Sequence, residues 1–157
     1  MKRLEGKAAL ITGAGQGVGL GIARAFIAEG ASVTITGRNA ERLEAALAEL
    51  KANGGKAIAL PCDAGVRESA DRAVKATVDA FGRIDVVVNN AQARRSGVPI
   101  QDITDGDMDL AFRSGPYDTL FHMQAAFTHM KERGGSIINF GSKMGLMPLP
   151  GVGTYAA

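Results

Sequence analysis

The sequence predicts an α/β fold: a doubly wound parallel sheet with helices on both faces, in three α/β/α layers. Two patterns carry this expectation. Short apolar or β-branched runs alternate with amphipathic segments from residue 7 onward, and the first run opens directly into a glycine-rich turn. No linker, repeat or biased stretch interrupts the alternation, so residues 1–157 read as one domain.

The elements follow in order. Residues 7–12 are a short apolar run ending in glycine, after which Val18, Ile22, Ala25 and Phe26 recur at helical spacing until Gly30. Residues 32–36 are β-branched and read as a second strand. Leu43, Leu47 and Leu50 then share one helical stripe, closed by Asn53, Gly54 and Gly55. Residues 56–62 form the third strand. Val66, Ala70, Val74, Thr77, Val78 and Phe81 make a third amphipathic helix that stops at Gly82. Residues 84–89 are a fourth strand, apolar enough for burial on both faces. Thr104 and Asp107 have the spacing of a capping box, so a helix starts there, and Pro116, which lacks an N–H, is expected to break or restart it. Leu120, Met123, Phe127 and Met130 form an apolar stripe running to Gly134 and Gly135, and residues 136–140 are the fifth strand. Strands joined by helices make right-handed crossovers, hence a parallel sheet.

Composition excludes several classes of function. Of the 157 residues 46% are hydrophobic and 22% charged, and 18 Lys+Arg against 16 Asp+Glu leave a formal charge of +2. The basic residues are scattered, so no nucleic-acid partner is expected. No uncharged apolar run reaches the roughly 18 residues of a spanning helix, and the first residues lack a signal peptide's apolar stretch; no membrane partner and a cytoplasmic location are expected. The lone Cys62 makes no internal disulfide and reads as a small core residue. His122 and His129 lie two helical turns apart, too far to share a metal, and read as surface or interface residues. Asp102, Asp105, Asp107 and Asp109 lack a calcium loop's glycine and final glutamate, and helix capping explains them; no metal is expected. Glycine is abundant at 21 of 157 residues, against a usual share of about 7%.

The most informative glycines stand together. Residues 12–19 read TGAGQGVG and lie where the first strand turns into the first helix. A helix N-terminus leaves amides unpaired and carries about half a positive charge, so it holds a pyrophosphate without a lysine. Gly13 permits the sharp turn, Gly17 removes a side chain that would keep phosphate away, and Gly19 lets the helix press close. No Gly-Lys-Ser/Thr follows, which argues against a P-loop. A dinucleotide is the better guest. After strand 2 a carboxylate would accept from a ribose 2′-hydroxyl, whereas an arginine would pair with a 2′-phosphate. Here Arg38 follows Gly37 and no carboxylate occurs until Glu41, which favours NADP over NAD, with NAD still possible.

These features, with three more, resemble the short-chain dehydrogenase/reductase family, whose Rossmann fold binds NAD(P). Gly13, Gly15, Gln16, Gly17, Val18 and Gly19 fit its glycine loop. Asp63, with Ala64 beside it, fits the acidic residue after strand 3 that contacts adenine. Val88, Asn89, Asn90 and Ala91 fit the start of its NNAG motif, which places Asn89 and Ala91 at the cofactor. Ser142 and Tyr155 fit its catalytic serine and the start of its YxxxK motif. The resemblance implies a hydride transfer between nicotinamide and a ketone or secondary alcohol. Tyr155 would act as acid/base and touch the cofactor, while Ser142 would orient the carbonyl. It also implies a small-molecule substrate and, in the complete protein, a homodimer or homotetramer.

The sequence departs from that pattern in three places. The family's lysine belongs one helical turn after Tyr155, beyond Ala157, and the family continues into further strands and a substrate lid. The chain is therefore expected to be the cofactor-binding part of a longer enzyme, incomplete at its C-terminus and inactive alone, with an exposed fifth strand. Gln92 stands where NNAG ends in glycine, and Gly115 stands near an asparagine that many members use to anchor a relay water; that role stays unassigned. The alternative is a catalytically inactive nucleotide-binding or interaction module that keeps the loop.

Overall fold

The computed structural model describes residues 2–157. Five strands, β1 (Ala8–Ile11), β2 (Ser32–Gly37), β3 (Ala57–Pro61), β4 (Val86–Asn89) and β5 (Ser136–Asn139), form one sheet in the order β3-β2-β1-β4-β5. Every pairing is parallel. Helices α1 (Gly17–Ala28), α2 (Ala40–Ala52), α3 (Arg67–Phe81), α4 (Asp105–Phe112) and α5 (Asp118–Met130) provide the crossovers, and a short α6 (Gly153–Ala156) follows β5. The strand order reverses beside β1, which opens a crevice at the carboxyl ends of β1 and β4.

The period of two along each strand sorts the core into two faces. Ala9, Ile11, Val33, Ile35 and Val88 pack with Leu20, Ala23 and Ile27 of α1 and Leu43 and Leu50 of α2. On the other face Leu10 and Val87 pack with Ala73 and Val74 of α3 and Ala126 and Met130 of α5. This is the three-layer α/β/α arrangement. The stops are chemical: Asn39 caps α2 by accepting from the Arg42 N–H at 2.8 Å, and α3 ends at Gly82 with φ +74°. The Thr104–Asp107 capping box is reciprocal, with the Asp107 N–H reaching the Thr104 hydroxyl at 3.2 Å and the Thr104 N–H reaching the carboxylate at 3.0 Å.

Three expectations are corrected along α4 and α5. Pro116 neither breaks nor restarts the helix: residues Arg113–Tyr117 form a π-helical turn that joins α4 to α5, the wider ladder accommodating the missing N–H. The buried face of α5 is Asp118, His122, Ala126 and Met130, whereas Phe127 is 61% exposed and Leu120 is exposed as well. His122 is accordingly no surface residue; at 2% exposure it sits in the interior, its Nδ1 2.9 Å from the Asp118 carbonyl. The i,i+4 pattern that begins at Asp118 is polar at its start, which hid it from a count of apolar positions.

At the foot of the sheet Asp85 joins β1 to β4. Its carboxylate accepts from the Ala8 N–H at 2.9 Å and from Arg83 Nε at 2.7 Å, with Lys7 Nζ 3.8 Å away. Burial pushes this carboxyl's pKa up, but the Arg83 and Ala8 hydrogen bonds and the Arg83 and Lys7 charges outweigh it, leaving the group below its usual range. A carboxyl depressed in the folded state stabilises above its unfolded pKa near 4 and loses that contribution as pH falls through the folded value. Asp85→Ala leaves the Ala8 amide unpaired and is expected to lower unfolding free energy at pH 7 by about 3 kcal/mol. Urea titrations of both proteins at pH 7 and pH 3 check this, since the gap between them narrows in acid.

Candidate functional site

At the β1–α1 turn the backbone requires glycine twice. Gly13 has φ +65° and Gly17 φ +58°, a region that L side chains rarely adopt. A Cβ on Gly13 would lie 2.9 Å from Ala91 Cα, so β1 and the end of β4 meet backbone to backbone. A Cβ on Gly19 would lie 2.7 Å from Asn90 Nδ2 and 2.9 Å from Ala14 Cα, which is how α1 comes to press on its own turn. A Cβ on Gly17 would meet nothing within 4 Å, leaving open room above the helix N-terminus. Gln16, the N-cap of α1, makes no side-chain cap bond, and the first turn carries no acidic residue. The free amides of that turn therefore face a crevice of about 700 Å³.

Thr12 and Asn90 hold this geometry, and neither was singled out from the sequence for it. The Thr12 hydroxyl accepts from the Asn90 N–H at 3.1 Å and the Ala91 N–H at 2.9 Å, while Asn90 Nδ2 donates to the Thr12 carbonyl at 2.9 Å. These bonds span two strands far apart in sequence, so no local pattern announces them.

Most of the expected cofactor residues gather here. Gly13, Gly15, Gln16, Gly17, Val18 and Arg38 line the crevice, as do Ala64 and Ala91. Two do not. Asp63 is exposed outside the lining, between Cys62 and Ala64, which are part of it. Asn89 faces a second crevice and donates through Nδ2 to Asn139 Oδ1 at 2.8 Å. Arg42 is an addition: at the third position of α2 it lines the crevice beside Arg38 and donates through Nη1 to Gln16 Oε1. The start of α2 after a strand that ends at the crevice was the available signal. Cys62 is buried, and burial pushes its thiol up against the opposing Arg72 charge, which disfavours the nucleophilic thiolate.

The second crevice, about 490 Å³, shares Val18, Asn90, Ala91 and Gln92 with the first. Ser142 and Tyr155 both line it, which brings together the two residues expected to be catalytic. Ser142 is the exposed N-cap of a short 3₁₀ turn, Lys143–Gly145, and accepts from the Met144 N–H at 3.2 Å. Tyr155 lies on α6, with the Arg94 guanidinium 4.0 Å from its ring centroid. A dinucleotide fits this pair of joined crevices: glycines and helix amides at the phosphate end, arginines at one flank and a hydroxyl–phenol pair at the other.

Sequence comparison agrees. Residues 7–157 match the family described as short chain dehydrogenase. The chain is 43% identical to a 12alpha-hydroxysteroid dehydrogenase from a Clostridium species, covering 98% of this chain and 62% of that one. A short chain dehydrogenase from Burkholderia cenocepacia, crystallised with NADP, superposes with a TM-score of 0.91 at 37% identity, over 98% of this chain and 63% of that one. A xylitol dehydrogenase structure with NAD+ bound superposes with a TM-score of 0.92 at 29% identity, over 99% and 60%. The strand order, the glycine turn and these matches make one statement: the chain belongs to the short-chain dehydrogenase/reductase family. It spans about three-fifths of the length of the curated relatives it matches. No helix among the described residues is long and apolar enough to cross a membrane.

Proposed function

We propose that this chain carries the cofactor-binding part of an NADP(H)-preferring oxidoreductase that interconverts a ketone and a secondary alcohol. One observation carries the reading: the uncapped start of α1, cleared by Gly13 and Gly17, opens onto a crevice continuous with the pocket of Ser142 and Tyr155. The dinucleotide, when bound, supplies or accepts the hydride. The first-turn amides of α1 hold its diphosphate, and Arg38 with Arg42 meets the phosphate on the adenosine ribose. Ala64 and Ala91 wall the crevice, with Asp63 at its edge and Asn89 anchoring the strand end below.

In the reducing direction the Ser142 hydroxyl donates to the substrate carbonyl oxygen and orients it, and Tyr155 gives that oxygen its phenolic proton. In oxidation the phenolate oxygen takes the proton back. Relatives named as dehydrogenases favour this over an inactive binding module. A homodimer or homotetramer contact through α5 is supported by Leu120 and Phe127, which face outward, and a free buried Cys62 suits a reducing cytoplasm.

Fluorescence titration of the full-length protein with NADPH and NADH, followed by a screen of ketones and secondary alcohols, tests the proposal. NADPH is expected to bind more tightly, and Tyr155→Phe to lower kcat by about 10²–10⁴-fold with dinucleotide binding retained. Failure to bind either dinucleotide removes the reading.

A further inference from the structure

Residues 92–96 read QARRS and lead away from the second crevice, which Gln92 lines. The chain is fastened on both sides of Arg94. Before it, the Ala93 N–H donates to the Ser114 hydroxyl at 2.8 Å. After it, Arg95 Nη1 donates to Asp107 Oδ2 at 3.4 Å and the Gly97 N–H donates to the Gly151 carbonyl at 2.8 Å. A Cβ on Gly151 would lie 2.9 Å from Gly97 Cα, so these two segments meet backbone to backbone. That clasp ties the loop to the stretch leading into α6, which carries Tyr155. The Arg94 guanidinium over the Tyr155 ring, 4.0 Å from its centroid, is thus placed by two anchored backbones.

The two adjacent arginines differ in what they hold. Arg95 has Asp107, whereas among the described residues no carboxylate pairs with Arg94. Arg94 is exposed and lines neither crevice, so its charge covers the phenol from the solvent side. The walls of the second crevice carry no Asp, Glu, Lys, Arg or His side chain. One uncompensated positive charge beside a chamber of neutral walls favours an anion there, and the planar fork of a guanidinium matches a carboxylate.

We infer that Arg94 determines substrate specificity, selecting ketones and secondary alcohols that carry a carboxylate a few bonds from the reacting carbon. The inference rests on the oxidoreductase reading above. The substrate oxygen meets the Tyr155 hydroxyl and the guanidinium lies over the ring of that same side chain, so the anion sits within one side chain's breadth of the reacting oxygen. Short oxo acids answer that spacing. The dinucleotide's phosphates are met elsewhere, along the first crevice by the α1 amides, Arg38 and Arg42, which leaves Arg94 to the substrate.

The test offers the full-length protein, with NADPH or NADH, 3-oxobutanoate, 4-oxopentanoate and 5-oxohexanoate, each beside its methyl ester, and 2-oxopropylphosphonate as a phosphate-like anion. At least one acid is expected to exceed its ester in kcat/KM by about tenfold or more, and the excess to shrink as ionic strength rises. Arg94→Gln is expected to bring the acid-to-ester ratio to about one, Arg94→Lys to keep part of the preference and Arg94→Glu to invert it. Acid and ester are compared on one preparation, so the ratio does not depend on how much of a variant folds. A purely structural Arg94 lowers acid and ester alike, and that result overturns the inference. So does a parent that binds dinucleotide but reduces esters as readily as acids, reduces no acid, or prefers the phosphonate to all three. Each of these outcomes sinks the substrate class alone, whereas a parent that binds neither NADPH nor NADH removes the oxidoreductase reading and the substrate class with it.

Discussion

Gly13→Val abolishes dinucleotide binding, raising Kd by at least about 100-fold, because two independent requirements fail at one atom. The residue sits at φ +65°, where a β-branched side chain is strained, and its Cβ would stand 2.9 Å from Ala91 Cα. The second obstacle is backbone and cannot rotate away. Moving Ala91 pulls on the Asn90 and Ala91 amides that bond the Thr12 hydroxyl, so the turn and the end of β4 separate together. Stability falls along with binding. Gly17→Ala behaves differently: the strain at φ +58° remains, but no protein atom lies within 4 Å, so stability drops by about 1 kcal/mol while the methyl intrudes where phosphate would sit. Gly21 lies inside α1 with no such φ and open space around it, and Gly21→Ala is expected to stabilise by roughly 0.5–1 kcal/mol with binding unchanged. Melting curves and NADPH titrations of the three variants give three distinct pairs of outcomes. A Gly13→Val protein that binds as well as its parent contradicts the account of the turn.

That the sequence announces these glycines but not their partners has a physical reason. A strand buried on both faces is written as an unbroken run, as in residues 86–88, and a helix stop as a glycine, as at Gly82 with φ +74°. The Thr104–Asp107 box and the Arg38 position are local too, and the structure keeps both where the pattern puts them. What the sequence conceals depends on the register between distant segments. The Thr12–Asn90 clasp joins residues 78 apart. The buried face of α5 begins with Asp118, whose Oδ1 accepts from the Gly65 N–H at 3.1 Å, and its burial follows from that long-range bond rather than from apolar periodicity. Gln92 and Gly115 look like two unrelated departures until the folded chain sets one inside the other.

Arg38→Asp is expected to invert the NADP(H) preference proposed above, moving the NADPH-to-NADH affinity ratio by about 10²–10³-fold. Members of this fold carry either dinucleotide, as the NADP and NAD+ complexes of its structural neighbours illustrate, so preference has to come from side chains at the adenosine flank. Here Arg38 and Arg42 line the crevice on either side of Asn39, at the positive start of α2, while Glu41 lies outside the lining. A ribose phosphate brings about two negative charges to that corner, and replacing a guanidinium by a carboxylate substitutes repulsion for a paired contact. The same carboxylate can accept from a free 2′-hydroxyl, so NADH gains while NADPH loses. Arg42→Ala is expected to weaken NADPH by about tenfold and to couple with Arg38→Asp, because both act on one phosphate. Arg42 also donates to Gln16, so its loss loosens the start of α1 and costs NADH some affinity, which Arg38→Asp does not. Both arginines are exposed, so the preference weakens as ionic strength rises, whereas amide contacts to the diphosphate respond far less. Fluorescence titrations of parent and variants with both dinucleotides at low and high salt separate the two contributions, and an unchanged ratio after Arg38→Asp removes the arginine pair as the determinant.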